Sequence, residues 1–560
     1  MDAFCIFTEN IDIMKTLLLF FSLLLIFSCA PDRIPADLLV KNANIYTVND
    51  TFDTANAFVV KDGKILEIGI KPELELKYAI SETYDAAGKT IVPGLIDAHA
   101  HLFNLGVSLQ NVDLVGTTSY QEVLDRVAAF QEEKNSEYII GRGWDQNDWE
   151  VKEFPSKKEL DSLYPEIPVA LTRVDGHAMI VNSKALEMAG ITSETKMEGG
   201  EVILENDEPN GILIDTPMGL VRSTFPVMDI AKMRQSLKDA EEICVALGLT
   251  TINDAGLDKA VIDLINEMQQ TDSLAIRVYA MISNTPKNLD YYLNNGIVKT
   301  DRLNVRSVKV YADGALGSRG AAMRAPYSDK SGHFGAMITP MERLQSAANR
   351  IAAAGFQMNT HAIGDSANVA VLRAYEEALK DKTDARWKVE HAQIVTPQDF
   401  DYFSKNIIPS VQPTHATSDM YWAEDRVGTE RIKGAYAYKT LLEKAGIIAL
   451  GTDFPVEKVN PMFTFYAAVA RKDLANFPAE GFRKEEALTR EEALKGMTIW
   501  AAYSNFEENE KGSIEKDKFA DFTVLDRDIM TIPEDSIPKV KVLATFINGK
   551  KVFEKEKIVE

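Results

Sequence analysis

A chain of 560 residues with 46% hydrophobic and 26% charged residues has the balance of a soluble globular protein, and the length for more than one domain. Asp and Glu (84) outnumber Lys and Arg (61), giving a net charge of −23. Phosphate backbones are held by clustered Lys and Arg, so this balance argues against nucleic acid as a partner and describes a well-solvated acidic surface.

The chain opens on a leader. "MKTLLLFFSLLLIFSCA", Met14 to Ala30, has one Lys, an apolar run too short to span a membrane, and a small residue before Cys29. Its end, Ile26-Phe27-Ser28-Cys29, resembles a bacterial lipoprotein cleavage box. That resemblance implies a signal peptide over residues 1–29, a lipid on Cys29, and export to the cell envelope as a membrane-anchored lipoprotein. Residues 1–13 fit no signal pattern, which points to Met14 as the start. Of the three cysteines only Cys244 lies beyond the leader, so no internal disulfide can form, and Cys244 reads as a core residue.

Next come two β-like runs, "ADLLVKNANIYTVND" and "AFVVKDGKILEIG", the second turning at an Asp-Gly. The far end, "FADFTVLDRD" and "VLATFINGKKVF", repeats the pattern around an Asn-Gly. The two ends are expected to form one small β-sandwich, residues 36–90 with 511–560. Between them short apolar strands alternate with helices: "IVPGLIDAH", "LTTINDAG", "LAIRVYAMI", "NVRSVKVYAD", "FQMNTHA", "WKVEHAQ", "IIPSVQPTH" and "IIALGTD". Eight such strands predict an α/β fold, a (β/α)8 TIM-like barrel over residues 91–510. The long gap between the first two predicts an inserted subdomain at about 104–230. Thr339-Pro340 with Glu342, and Thr489 with Glu492, read as helix capping boxes.

The seven histidines carry the chemistry. Residues two apart on a strand face the same side, so His99 and His101 project together at the C-terminal end of strand one, where barrel enzymes build their sites. Alone the pair is weak evidence. But His361, His391 and His415 fall at the ends of strands five, six and seven, Asp453 at the end of strand eight, and Lys309 inside strand four. Neutral imidazoles and a carboxylate are good ligands for zinc, so these ends predict a metal site.

This set, in this order, resembles the amidohydrolase superfamily. The phrases "GWDQNDW", "RVDGHAMIVNSKAL", "KVYADGALGSRGA", "HAIGD", "EHAQ", "VQPTHATSD" and "GTDFPVE" look like the branch that includes N-substituted formamide deformylase. The resemblance implies that His99, His101, Lys309, His361, His391 and Asp453 hold one or two divalent metals, zinc foremost. Lys309 would be carboxylated, since an ammonium has no lone pair; a plain lysine paired with Asp313 is the alternative. It also implies hydrolysis of a non-peptide carbon–nitrogen bond in a small-molecule substrate by a metal-bound hydroxide. Asp453 would be the base, and His415 would contact substrate or the developing oxyanion.

Trp144, Asp145, Arg173, Asp175 and His177 in the insert are candidate substrate contacts, as are Asp313 and Arg319 after strand four, Arg319 as an anchor for an anionic group. Packing within the insert explains the first group equally. The same cage serves deamination or lactone and ester hydrolysis, and a lipid-anchored binding protein that has lost catalysis is the reading from another class.

Overall fold

The computed structural model describes residues 33–197, 200–225 and 228–556, and the expected leader lies outside them. Asp62 and Gly63 (φ 50° and 77°) turn Ala57–Lys61 into Lys64–Gly69; Asn548 and Gly549 (52° and 68°) turn Val542–Ile547 into Lys550–Glu554. Two consecutive positive φ values are what a tight hairpin needs, and Asp-Gly and Asn-Gly supply them at least cost.

These hairpins belong to two facing sheets. One runs Lys64–Gly69, Ala57–Lys61, Ile34–Lys41, Tyr78–Asp85; the other runs Lys550–Glu554, Val542–Ile547, Phe522–Leu525, Thr90–Pro93, Asn44–Tyr46, Thr54–Ala55, mixing both chain ends. Leu38, Val40, Phe58 and Val60 meet Ile91, Phe522 and Phe546 in one core, with Phe58 edge-on to Phe522 at 5.2 Å. Each large side chain buried this way contributes about 1.5–3 kcal/mol.

The run Ile91–His99 is not one strand, as the sequence had suggested. Thr90–Pro93 pairs with Phe522–Leu525 in the sandwich, and only Leu95–Ala100 enters the barrel. Gly94 makes the corner, where a Cβ would lie 2.3 Å from Thr250 Oγ1.

The barrel strands are β1 (Leu95–Ala100), β2 (Leu249–Leu257), β3 (Arg277–Ser283), β4 (Leu303–Tyr311), β5 (Gln357–Ala362), β6 (Trp387–His391), β7 (Ile407–Val411) and β8 (Ala449–Leu450). They are parallel and adjacent in chain order. Past β8 the chain meets β1: Asp453 N donates to His99 O (2.7 Å), His101 N donates to Phe454 O (2.9 Å), and Asp97 accepts from both the backbone N–H and the hydroxyl of Thr452. A buried ion pair, Arg277–Asp521 at 2.6 Å, ties β3 to the C-terminal segment.

Between β1 and β2, helix Leu102–Ser108 packs on helix Ile230–Ala246 so closely that a Cβ on Gly106 would lie 1.9 Å from Ser236 O. From Val112 to Asp215 the chain forms a separate six-stranded sheet with its own core, including Leu171, Ile180 and Trp144. The Thr489–Glu492 capping box is formed. That at Thr339 is not: its hydroxyl donates to Tyr311 O, and the helix starts at Met341 after Pro340. Cys244 is buried in the barrel core.

Candidate metal centre

His99 ends up inside the barrel because β1 is buried on both faces; its side chain is 0% exposed. A ring so placed must be told which nitrogen carries the proton. Glu390 on β6 does this, with Oε2 2.6 Å from His99 Nδ1. The same device recurs: His101 Nδ1 donates to Ala255 O (2.9 Å), and His391 Nδ1 donates to Gln412 Oε1 (2.7 Å). With Nδ1–H engaged, each Nε2 is left as the lone pair.

The free nitrogens converge. His99, His391 and Asp453 offer ligand atoms all within 4.8 Å of one another. His101 Nε2 is 3.1 Å from Asp453 Oδ1, the His361 and His391 rings are 4.5 Å apart, and Lys309 Nζ is 3.0 Å from His99 Nε2. His415 sits not on a strand end but in helix Pro413–Asp419, stacked on His391 at 5.8 Å with Nε2 3.7 Å from Asp453 Oδ2. His391 (φ 72°) and Asp453 (φ 63°) both take left-handed backbone, unusual for non-glycine residues and common where a site over-determines its geometry.

The electrostatics suit a cation. Burial, reinforced by the Lys309 charge, pushes His361 down to about 3 and lowers His99; burial and the neighbouring rings take His391 well below its usual value. These imidazoles are neutral at pH 7. Burial opposes ionisation of Asp453, but the imidazoles crowded around it, His101 first, outweigh it and hold the carboxyl well below the usual range. Among the described residues the buried Nε2 atoms of His361 and His415 have no hydrogen-bond partner; that of His361 lies 3.7 Å from Asp313 Oδ1 and that of His415 3.7 Å from Asp453 Oδ2. The neutral imidazoles of His99 and His391 beside the anionic Asp453 carboxylate are the donor set of a divalent metal, so the residues fit.

Lys309 is buried, burial lowers its pKa, and among the described residues no carboxylate lies within ion-pair distance. Asp313 is not its partner. That carboxyl, raised to about 7 by burial against three backbone bonds, accepts from Ile363 N, Gly364 N and Ala322 N, stitching the loop after β4 to that after β5.

The other sequence candidates lie apart from the centre. Arg319 is held by Asp329 and does not line the cavity, which removes it as an anion anchor there. Trp144 is wholly buried in the insert, its Nε1 donating to Leu171 O (2.7 Å), so it walls no ligand site. Asp145 and Asp175 both pair with Arg173, and His177 pairs with Asp215 at 2.7 Å on the surface; none lines the cavity. A cavity of about 420 Å³ does open over the histidines, walled by Tyr311, Leu316, Ile363, Trp422 and Val456. Those walls, and Glu390, were missed in the sequence. The one available signal was a carboxylate in a buried strand, which requires a partner.

Known proteins place this arrangement in a class. The Amidohydrolase family model matches residues 82–553, and the chain belongs to that family: it is a hydrolase acting on carbon–nitrogen bonds. It is 26% identical over 544 residues to N-substituted formamide deformylase of Arthrobacter pascens, covering 92% of this chain and 97% of that one. To the protein LONG AFTER FAR-RED 3 of Arabidopsis thaliana it is 32% identical over 554 residues, covering 93% and 92%. The crystal structure of an uncharacterized metal-dependent hydrolase from Pyrococcus horikoshii OT3 matches with a TM-score of 0.75 and 28% identity, covering 89% of this chain and 99% of that one.

Proposed function

We propose that the chain is an exported amidohydrolase, anchored through a lipid on Cys29, that hydrolyses a non-peptide amide or formamide-like bond of a small molecule. The observation that carries the reaction is the convergence of His99, His391 and Asp453 within 4.8 Å at the C-terminal end of the barrel. His99, His101, His361, His391 and Asp453 would hold one or two zinc ions. Lys309, carboxylated, would join them as an oxygen ligand. The metal would supply the charge that polarises a carbonyl and acidifies water.

The protein's own groups do the rest. Asp453, ionised and facing the cavity, accepts the proton of the attacking water and delivers it to the leaving nitrogen. His415 Nε2, buried and unpartnered beside it, donates to the carbonyl oxygen as charge develops there. The cavity walls orient the substituent and exclude water.

A panel of formamides, longer amides, lactones and aminated rings tests the reading. Saturable turnover confined to the amides is expected; saturation with lactones or aminated rings instead would overturn it.

A further inference from the structure

Away from the metal ligands, the wall of the cavity is unbalanced in charge. Apart from the imidazoles and Lys309, whose amine is turned to His99, no basic side chain among the described residues lines it. Besides Asp453 at its floor, two further carboxylates do, Asp419 and Glu457. Asp419 Oδ2 accepts from Gln393 Nε2 and the Tyr436 hydroxyl, both at 2.8 Å; Glu457 Oε1 accepts from the Ser418 hydroxyl at 2.7 Å. Neither has a Lys or Arg within ion-pair distance among the described residues. Of the cations on nearby loops, Arg319 and Arg426 are engaged with Asp329 and Arg324 with Asp399, while Lys458 is exposed and does not line the cavity.

Leu316, Ile363, Trp422 and Val456 make much of the remaining wall apolar. The Trp422 indole lies against Gly317, where a Cβ would stand 3.3 Å from the ring. Val456, one of the lining residues, is 71% exposed, and Tyr421, next to Trp422 in the chain, stacks on Phe477 at 5.8 Å. Exposed apolar surface joined to a catalytic cavity marks a place for ligand. An aromatic wall beside carboxylates without counter-ions is the chemistry that holds an organic ammonium. An anion there would meet repulsion in a partly desolvated site. The net charge of −23 raises the local concentration of cations further.

We infer that the cavity selects substrates whose nitrogen substituent is apolar and carries a positive charge, the stem against Leu316, Trp422 and Val456 and the cation facing Asp419 and Glu457. This deepens the hydrolase reading and rests on it for the reacting bond.

Three matched formamides test it: N-benzyl, its para-(trimethylammonio)methyl derivative and its para-carboxy derivative. The cation is expected to exceed the neutral compound in kcat/KM about tenfold, and the anion to fall below it by as much. Glu457→Gln and Asp419→Asn should each collapse the cation-to-neutral ratio toward one, with the melting temperature reporting that the fold persists. Equal kcat/KM across the three, or a ratio indifferent to both substitutions, would overturn the inference. Calorimetric binding of benzyltrimethylammonium to the full chain needs no turnover. Binding that weakens in Glu457→Gln supports the inference even if no formamide is cleaved, in which case the hydrolase reading alone fails; no binding to the unsubstituted chain would overturn it.

Discussion

Glu390 Oε2 lies 2.6 Å from His99 Nδ1, and both side chains are wholly buried. The contact fixes the ring's tautomer and orientation and makes Nε2 a better ligand. A buried carboxylate is costly unless its charge is answered. Here the His99 Nδ1–H meets it with a hydrogen bond, and Lys388, two residues earlier on β6 and also buried, adds opposite charge while its Nζ donates to Asn505 Oδ1 at 2.8 Å.

Replacing Glu390 with Gln should therefore weaken metal binding by about 10–100-fold. Competition with a chromophoric chelator reads this without any substrate. An unchanged affinity would mean that Glu390 only fills space.

Asp453→Asn keeps the shape and removes the base. The expected loss is about 10²–10⁴-fold in kcat, with the circular-dichroism spectrum unchanged and metal content checked in parallel. Near-normal kcat would remove Asp453 from proton transfer.

At the opposite end of the barrel, buried Glu507 pairs with Lys299 (3.0 Å) and Lys511 (2.7 Å). Burial alone would raise its carboxyl, but the two ammonium groups outweigh it and hold it at about 2, against an ordinary 4.5. A folded-state value below the unfolded one means the stabilisation is complete above about pH 4.5 and is lost as pH falls toward 2. The melting temperature should drop through that window. In Glu507→Gln the protein should be less stable at pH 7, with two ammonium groups left without their carboxylate, and the decline between pH 5 and 3 should be shallower. A slope identical to that of the unsubstituted protein would show that other groups set the acid sensitivity.

What could be read in the sequence follows from local rules. The period of two put His99 and His101 on one side of a strand, and Asp62-Gly63 and Asn548-Gly549 announced their hairpins. Strand ends gathered His361, His391 and Asp453 because a parallel barrel presents all its C-terminal ends to one mouth. What failed depended on tertiary context. Alternation would send Glu390 and His391 to opposite faces, but the left-handed backbone at His391 (φ 72°) breaks it. Trp144 beside Asp145 looks like a ligand wall, since core and cavity use the same aromatic residues; only its packing against Leu171 and Trp149 decides. The run from Ile91 to His99 hid a change of sheet at Gly94, which turns on the Thr250 side chain, far off in sequence.

Metal content per chain, measured by plasma mass spectrometry on protein expressed from Ala30 onward without chelator, tests the central claim most directly. One or two equivalents are expected, falling in His99→Ala and His391→Ala; two would make carboxylated Lys309 the expected bridge. Essentially no metal, even after reconstitution with zinc, would contradict the claim that these buried imidazoles are ligands.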